Sequence, residues 1–399
     1  MSARYPGIRE SGKGTWEIKF EAGRDPITGK RRTRYVTFAG TKAEASAERD
    51  RLKTLSRKGD LVDPSKMTLA EFIVRWDRDW AAANTSPKTL ERYRELLRHH
   101  VEPHLGAVAI QKLRPTHLQE LYARLLREGR APREGKPQVG LSARTVGHVH
   151  RVVHRVLGHA MLWDVVTKNV ASPVKPPKVA TEEVEILRAD QVAAVLSKLR
   201  GRTLFMIVAL ALASGARRGE LLALRWGDVD WKAGAIRVER SLEQTKLSGL
   251  RFKEPKTKHG RRTIDLPSPV ITELRTHHDA RNRQRLGIPG NTEVVPHQDM
   301  PAEALVFALP DGAPRSPNAL TREWSRIRDE IGLPPVSFHA LRHTNASRLI
   351  DAGLDVLTIS RRLGHGSPTI TLGVYGHLFS NKGSQAAQAL ASMFGGRTE

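Results

Sequence analysis

The sequence predicts a mainly α-helical protein with small β elements: a sheet-plus-helix module, a helical domain and a mixed α/β domain. Two observations predict it, and a third bears on its partner. Period-two alternation is confined to the N-terminal segment up to Phe38 and to short runs between Ile236 and Leu266, whereas apolar residues recur at helical spacing through most of the remainder. A run with three prolines, ASPVKPPKVATEEVE at 171–185, interrupts the helical pattern. The chain carries 66 Lys and Arg against 42 Asp and Glu, a formal charge of +24, which calls for a polyanionic partner. No apolar run approaches the length of a spanning helix and no signal peptide opens the chain, so a cytoplasmic protein with no membrane partner is expected. Cysteine is absent, which excludes disulfides, thiolate nucleophiles and cysteine-based zinc sites.

The first module spans 1–62. Trp16, Ile18 and Phe20 alternate with polar residues, and Tyr35, Val36 and Phe38 form another run after a turn at Asp25–Gly29, giving a three-stranded sheet. Thr41 with Glu44 forms a capping box for a helix reaching about Arg57. The helical domain spans 63–172. Thr68 with Glu71 opens a helix through Trp76 and Trp80; Ser86 and Pro87 open one carrying Tyr93, Leu96 and Leu97; Thr116 with Gln119 opens a third; Ser142 opens a fourth, with Val149, Val152, Val153 and Val156 at helical spacing. Lys88, Arg92, Arg144, Arg151 and Arg155 on these helices are candidate phosphate contacts. His150 and His154 stand four apart, yet no carboxylate accompanies them and the stripe is packed with valines, so no metal is expected. A linker at 173–185 follows.

The third domain spans 186–399. Two apolar helices are expected at Ala189–Leu199 and Thr203–Ala213, the second ending at Ser214 and Gly215, immediately before Arg217; Glu220 can hold Arg217 in position. Strands are expected at Ile236–Arg240, Arg251–Glu254 and Arg262–Leu266, the last two joined as a hairpin around Lys258. His339 and Arg342 stand three apart on a helix and share a face. His365 follows Gly364, and Ser367 with Pro368 starts a further helix carrying Tyr375. Arginine, histidine and tyrosine in this combination suit a phosphodiester: guanidiniums grip the non-bridging oxygens, imidazoles move protons and a phenol attacks phosphorus. His339 and His343 also have zinc-ligand spacing, but the glutamate of that motif is missing and Arg342 would repel a metal ion.

The pattern FHALRHTNASRLI, then RRLGH, then SPTITLGVYGHLF resembles the C-terminal half of the tyrosine recombinase, or phage-type integrase, family. SGARRGELLALRWGDVD resembles that family's first arginine box, and EPKTKHGRRTIDLP its catalytic-lysine strand pair. The resemblance implies that Tyr375 attacks the scissile phosphate and leaves a 3′-phosphotyrosine, while Arg217 and Arg342 stabilise the phosphorus centre. His339 accepts the phenolic proton, Lys256 gives one to the leaving 5′-oxygen, with Lys258 the alternative, and His365 hydrogen-bonds the phosphate. It further implies an arm-type DNA-binding module at the N-terminus and a core-binding helical domain. The partners would be duplex attachment sites, a homotetramer and accessory DNA-bending or directionality proteins, with neither cofactor nor ATP. The stripe Leu390, Met393 and Phe394 would pack on a neighbouring protomer. Competing expectations are a type IB topoisomerase-like relaxing enzyme, a catalytically silent DNA-binding protein and a metal nuclease.

Overall fold

A computed structural model describes residues 7–24, 29–58, 64–130, 139–180, 184–255, 260–289, 298–379, 387 and 390. The chain divides into two compact units, 1–180 and 181–399. Among the described residues no helix is long and apolar enough to cross a membrane.

The first unit opens with an antiparallel sheet of β1 (Ile8–Gly12), β2 (Thr15–Arg24) and β3 (Arg31–Ala39) in that order. Alternation along β2 sends Ile18 and Phe20 inward, where they meet Ala45 and Leu52 of α1 (Lys42–Lys58). The expected capping box starts α1: Thr41 N donates to Glu44 Oε2 at 2.8 Å, and Glu44 N to Thr41 Oγ1 at 3.3 Å.

The second core of this unit is helical. A reciprocal Thr68–Glu71 box starts α2 (Leu69–Trp76), which runs through a π-helical turn (Asp77–Ala81) into α3 (Ala82–Asn84). There follow α4 (Pro87–His100), α5 (Glu102–Leu105), α6 (Pro115–Glu128) and α7 (Ala143–Leu162). Phe72, Trp76, Leu96, Leu118, Leu125 and the α7 valines fill the interior, each contributing about 1.5–3 kcal/mol of burial. The third long helix starts earlier than the Thr116–Gln119 pair predicts. Pro115 takes the first helical position, where its missing N–H costs nothing, and Arg114 becomes the N-cap. Val174 still packs in this core, whereas Leu187 is already buried in the core of the second unit.

The second unit is organised around α9 (Phe205–Ser214), apolar on nearly every side and backed by α8 (Ala189–Leu199). After it come α10 (Arg218–Leu222), β4 (Val229–Asp230), β5 (Ala235–Val238), β6 (Ser241–Thr245), β7 (Gly249–Lys253) and β8 (Arg262–Asp265). The expected hairpin between 251–254 and 262–266 does not form. β8 pairs with β5 in a β4-β5-β8 sheet, and β7 pairs with β6, a strand the sequence reading missed. The reason is cross-strand charge. Glu243 lies opposite Arg251, accepts from its Nε at 2.7 Å, and also binds Lys253, so the two basic residues of β7 find their carboxylate on β6. Helices α11 (Ser268–Arg285), α12 (Pro317–Glu330), α13 (Ala340–Asp351), α14 (Val356–Leu363) and α15 (Pro368–Tyr375) complete the unit.

Candidate active site

The site is assembled at the C-terminal end of α9. Gly215 caps that helix in the left-handed region (φ 64°), where a Cβ would come within 2.6 Å of Asn345 Oδ1. The exposed carbonyls of the last turn attract donors from distant segments. Asn345 Nδ2 reaches Leu212 O at 2.7 Å, Arg362 Nη2 reaches Ala213 O at 3.0 Å, and Arg342 Nη1 reaches Gly215 O at 2.8 Å. One helix end thus gathers the motifs around Arg217, Arg342 and Gly364.

Arg217 is the N-cap of α10. Its backbone N–H donates to Glu220 Oε2 at 2.9 Å and its Nη1 to Oε1 at 2.9 Å, while Nη2 reaches Gly364 O at 3.3 Å. Glu220 is buried and also takes Arg262 Nη2 at 2.8 Å; burial opposes its charge, but Arg262 and Arg217 hold its carboxyl below the usual range. Arg262, which the sequence reading did not single out, binds Arg362 O at 2.6 Å as well, tying β8 to the end of α14. Its signal is the second arginine of GRR opening a strand, which is weak beside so many basic residues.

Arg342 is only 3 % exposed, and its Nη2 is buried with no hydrogen-bond partner among the described residues. Burial, then the nearby Arg217, disfavour its charge and press its pKa down to about 9. A buried guanidinium nitrogen without an acceptor is costly unless something supplies oxygen.

His339 stands at the exposed N-cap of α13, where desolvation and then Arg342, Arg217 and Arg218 lower its pKa. The imidazole on the phenol belongs to His343, one turn further along: His343 Nδ1 and Tyr375 Oη are 2.6 Å apart. Tyr375, the last residue of α15, is buried against Ala346, Ile350, Ile359 and Leu363. Burial raises its phenol to about 12, with Arg342 pulling the other way. His365 Nδ1 meets the buried Thr371 Oγ1 at 2.7 Å, and Ser367 caps α15 as expected, accepting from Thr369 N at 3.2 Å.

The structure therefore brings together Arg217, Glu220, His339, Arg342, His365 and Tyr375. Lys256 and Lys258 lie outside the described residues, as do Met393 and Phe394. In the first unit, Lys88, Arg92, Arg144, Arg151 and Arg155 are all exposed. Arg92, Arg151 and Arg155 line one cleft with His148 and His154. The histidines of α7 have other partners: His150 Nδ1 lies 3.1 Å from Tyr122 Oη and His154 Nε2 3.2 Å from Ser172 Oγ.

The buried imidazoles predict a pH dependence of stability. Burial pushes His343 and His365 down to about 4 from the usual 6.5, so between these values the unfolded chain binds more protons than the folded one. Their contribution is fully present above pH 6.5 and lost as pH falls toward 4. Thermal melts should show a lower Tm at pH 5 than at pH 7, and an unchanged Tm would contradict the burial of these rings.

Residues 185–382 match the profile of the phage integrase family, and residues 68–126 match its N-terminal SAM-like domain. A tyrosine recombinase XerC-like protein of Caldanaerobacter subterraneus subsp. tengcongensis is 25% identical over 98% of this chain and 100% of its own length. The fold is shared with the Tn1549 transposon integrase, solved with transposon right end DNA, at TM-score 0.62 and 21% identity, covering 83% of this chain and 100% of that one. It is shared too with lambda integrase, solved as a tetramer on a Holliday junction, at TM-score 0.55 and 19% identity over 92% and 97%. With residues 68–126 and 185–382 matched in order, and with arginines, histidines and a tyrosine gathered at one helix end, the protein belongs to the phage integrase family of tyrosine recombinases.

Proposed function

We propose that this tyrosine recombinase integrates or excises a mobile element by cutting and rejoining duplex DNA through a 3′-phosphotyrosine at Tyr375. The observation that carries the reading is Arg342, with a buried, unpartnered Nη2, set beside Arg217 and close enough to bear on the Tyr375 phenol. A scissile phosphate supplies the oxygens that nitrogen lacks. Arg217 and Arg342 neutralise the equatorial oxygens as charge builds in the transition state, with Glu220 and Arg262 fixing Arg217. His339 and His365 hydrogen-bond the phosphate, and Lys256, or Lys258, protonates the leaving 5′-oxygen. The P–Oη bond forms as the P–O5′ bond breaks, so the ester is conserved and no ATP is consumed. A 5′-hydroxyl of a second duplex reverses the step. Four copies hold two duplexes, residues 1–62 bind arm-type sites, residues 63–172 bind the core through Lys88, Arg92, Arg144, Arg151 and Arg155, and accessory bending or directionality proteins select the outcome at the chromosome.

Incubation of the protein with nicked duplexes taken from the ends of the element that carries its gene should trap a denaturant-resistant protein–DNA adduct, in chelator and without nucleotide. Absence of the adduct on every such end, with binding intact, would favour a catalytically silent DNA-binding protein. Thr371→Val removes the hydroxyl under His365 while keeping the side chain's shape. Adduct formation should slow about 10-fold to 100-fold with DNA affinity unchanged, because the imidazole loses its fixed orientation. An unaltered single-turnover rate would show that His365 needs no such support.

A further inference from the structure

The tyrosine lies in hydrogen-bond contact with an imidazole that the family resemblance did not assign. We propose that His343, rather than His339, takes the proton from Tyr375 during cleavage and returns it during rejoining. The inference rests on the phosphotyrosine reading above.

The geometry separates the two imidazoles. His343 Nδ1 stands 2.6 Å from Tyr375 Oη, the reacting atom itself. His339 lies a turn earlier on the same segment, its ring perpendicular to that of His343 with centroids 4.7 Å apart, and its electrostatic surroundings are Arg342, Arg217, Arg218 and Glu220. Those are the groups that would face a phosphate. One imidazole thus addresses the electrophile and the other the nucleophile. The nucleophile's helix is also held one turn upstream, where Thr371 meets His365, so the phenol is aimed by contacts at both ends of a single turn.

The chemistry balances without any further reagent. The Tyr375 Oη–H bond breaks toward His343 Nδ1 while Oη bonds to phosphorus and O5′ departs. In the return step the imidazolium gives the proton back as the phosphotyrosine bond breaks. His343 can accept at Nδ1 only with its own proton on Nε2, so the neutral Nε2–H tautomer is the active one. In the free protein the proton stays on oxygen, since burial raises the phenol to about 12 and lowers His343 to about 4. Bond formation to phosphorus reverses this, because an oxygen becoming an aryl phosphate ester loses its affinity for a proton. The charged and titratable groups bearing on His343 among the described residues are His339 and Arg342 of its own segment and Tyr375 of α15. A docked phosphate offsets the guanidinium and lets the imidazole accept.

The test is single-turnover cleavage of a nicked duplex by the full-length protein with His343→Gln, which retains an acceptor but cannot take the proton. The rate should fall about 10²- to 10⁴-fold, both for the natural 5′-oxygen and for a 5′-sulfur leaving group that needs no acid. It should rise with pH between 7 and 9, where the unmutated protein is flat, and fluorinated tyrosine at position 375 should recover at least about a factor of ten, since such a phenol ionises more readily. A His343→Gln rate within threefold of the unmutated protein overturns the proposal. So does a slow rate that is flat in pH and unmoved by fluorotyrosine, which marks a structural role, or one restored by sulfur, which marks a leaving-group role. Should glutamine prevent folding, imidazole ¹⁵N spectra carry the test without a substitution at 343. Tyr375→Phe should move the Nδ1 signal of a histidine assigned as the neutral Nε2–H tautomer, and no change overturns the contact. If Tyr375→Phe still forms the adduct, the phosphotyrosine reading falls and this inference with it. If that variant is dead and His343→Gln cleaves normally, this inference alone falls.

Discussion

Tyr375→Phe should abolish the covalent protein–DNA adduct and leave duplex binding within a few-fold. The expected loss is about 10⁴-fold or more, because removing one member of a catalytic set that acts as a unit removes nearly all of its chemistry. Binding survives because affinity for a duplex is spread over many phosphate contacts, to which one phenol adds little. The protein should also fold. The ring keeps its place among Ala346, Ile350, Ile359 and Leu363, and only the hydrogen bond to His343 is lost, a cost of about 0.5–1.5 kcal/mol. The measurement pairs a denaturing gel for the adduct with a native gel for the complex. Adduct formation by the phenylalanine variant would place the nucleophile elsewhere and sink the functional assignment.

Arg342→Lys gives the second large effect. Lysine keeps the charge but cannot donate to Gly215 O and to a phosphate oxygen through one rigid fork, so the transition state loses a preorganised donor. The rate of adduct formation should drop about 10²- to 10³-fold, the range for loss of one such group, with binding again little changed. The direction of the stability change is informative. Lysine at this position is more easily neutralised than arginine in a buried site crowded by Arg217, so the variant should melt no lower at alkaline pH than at neutral pH. A cleavage rate within tenfold of the unmutated protein would show that the guanidinium does not grip the reacting phosphate.

Much of this site is legible from local chemistry. Ser367 and Pro368 announce the start of α15, and the eight residues of that helix set where Tyr375 falls. Gly215 and Gly364 announce two helix ends, both in the left-handed conformation, and these are the points from which Arg217 and His365 enter the site. What was not legible depends on partners distant in the chain. β7 pairs with β6 because Glu243 stands opposite Arg251, and no periodicity within either five-residue strand shows it. The choice between His339 and His343 depends on where α13 begins and on which neighbour each turn faces, and their places in the run HALRH say nothing of that. Arg262 escaped notice for a simpler reason: in a chain with so many basic residues, a buried arginine looks like the exposed ones until its acceptors are seen.

Among the described residues, the guanidiniums of Arg217, Arg262 and Arg342 share the neighbourhood of one carboxylate, Glu220. A tetrahedral oxyanion of any origin relieves that imbalance, so inorganic sulfate or phosphate in a storage buffer behaves as a ligand of the native state and raises the melting temperature in proportion to the logarithm of its concentration. The same ions compete with the substrate. Conditions that best preserve this protein on the shelf are therefore those in which it turns over most slowly.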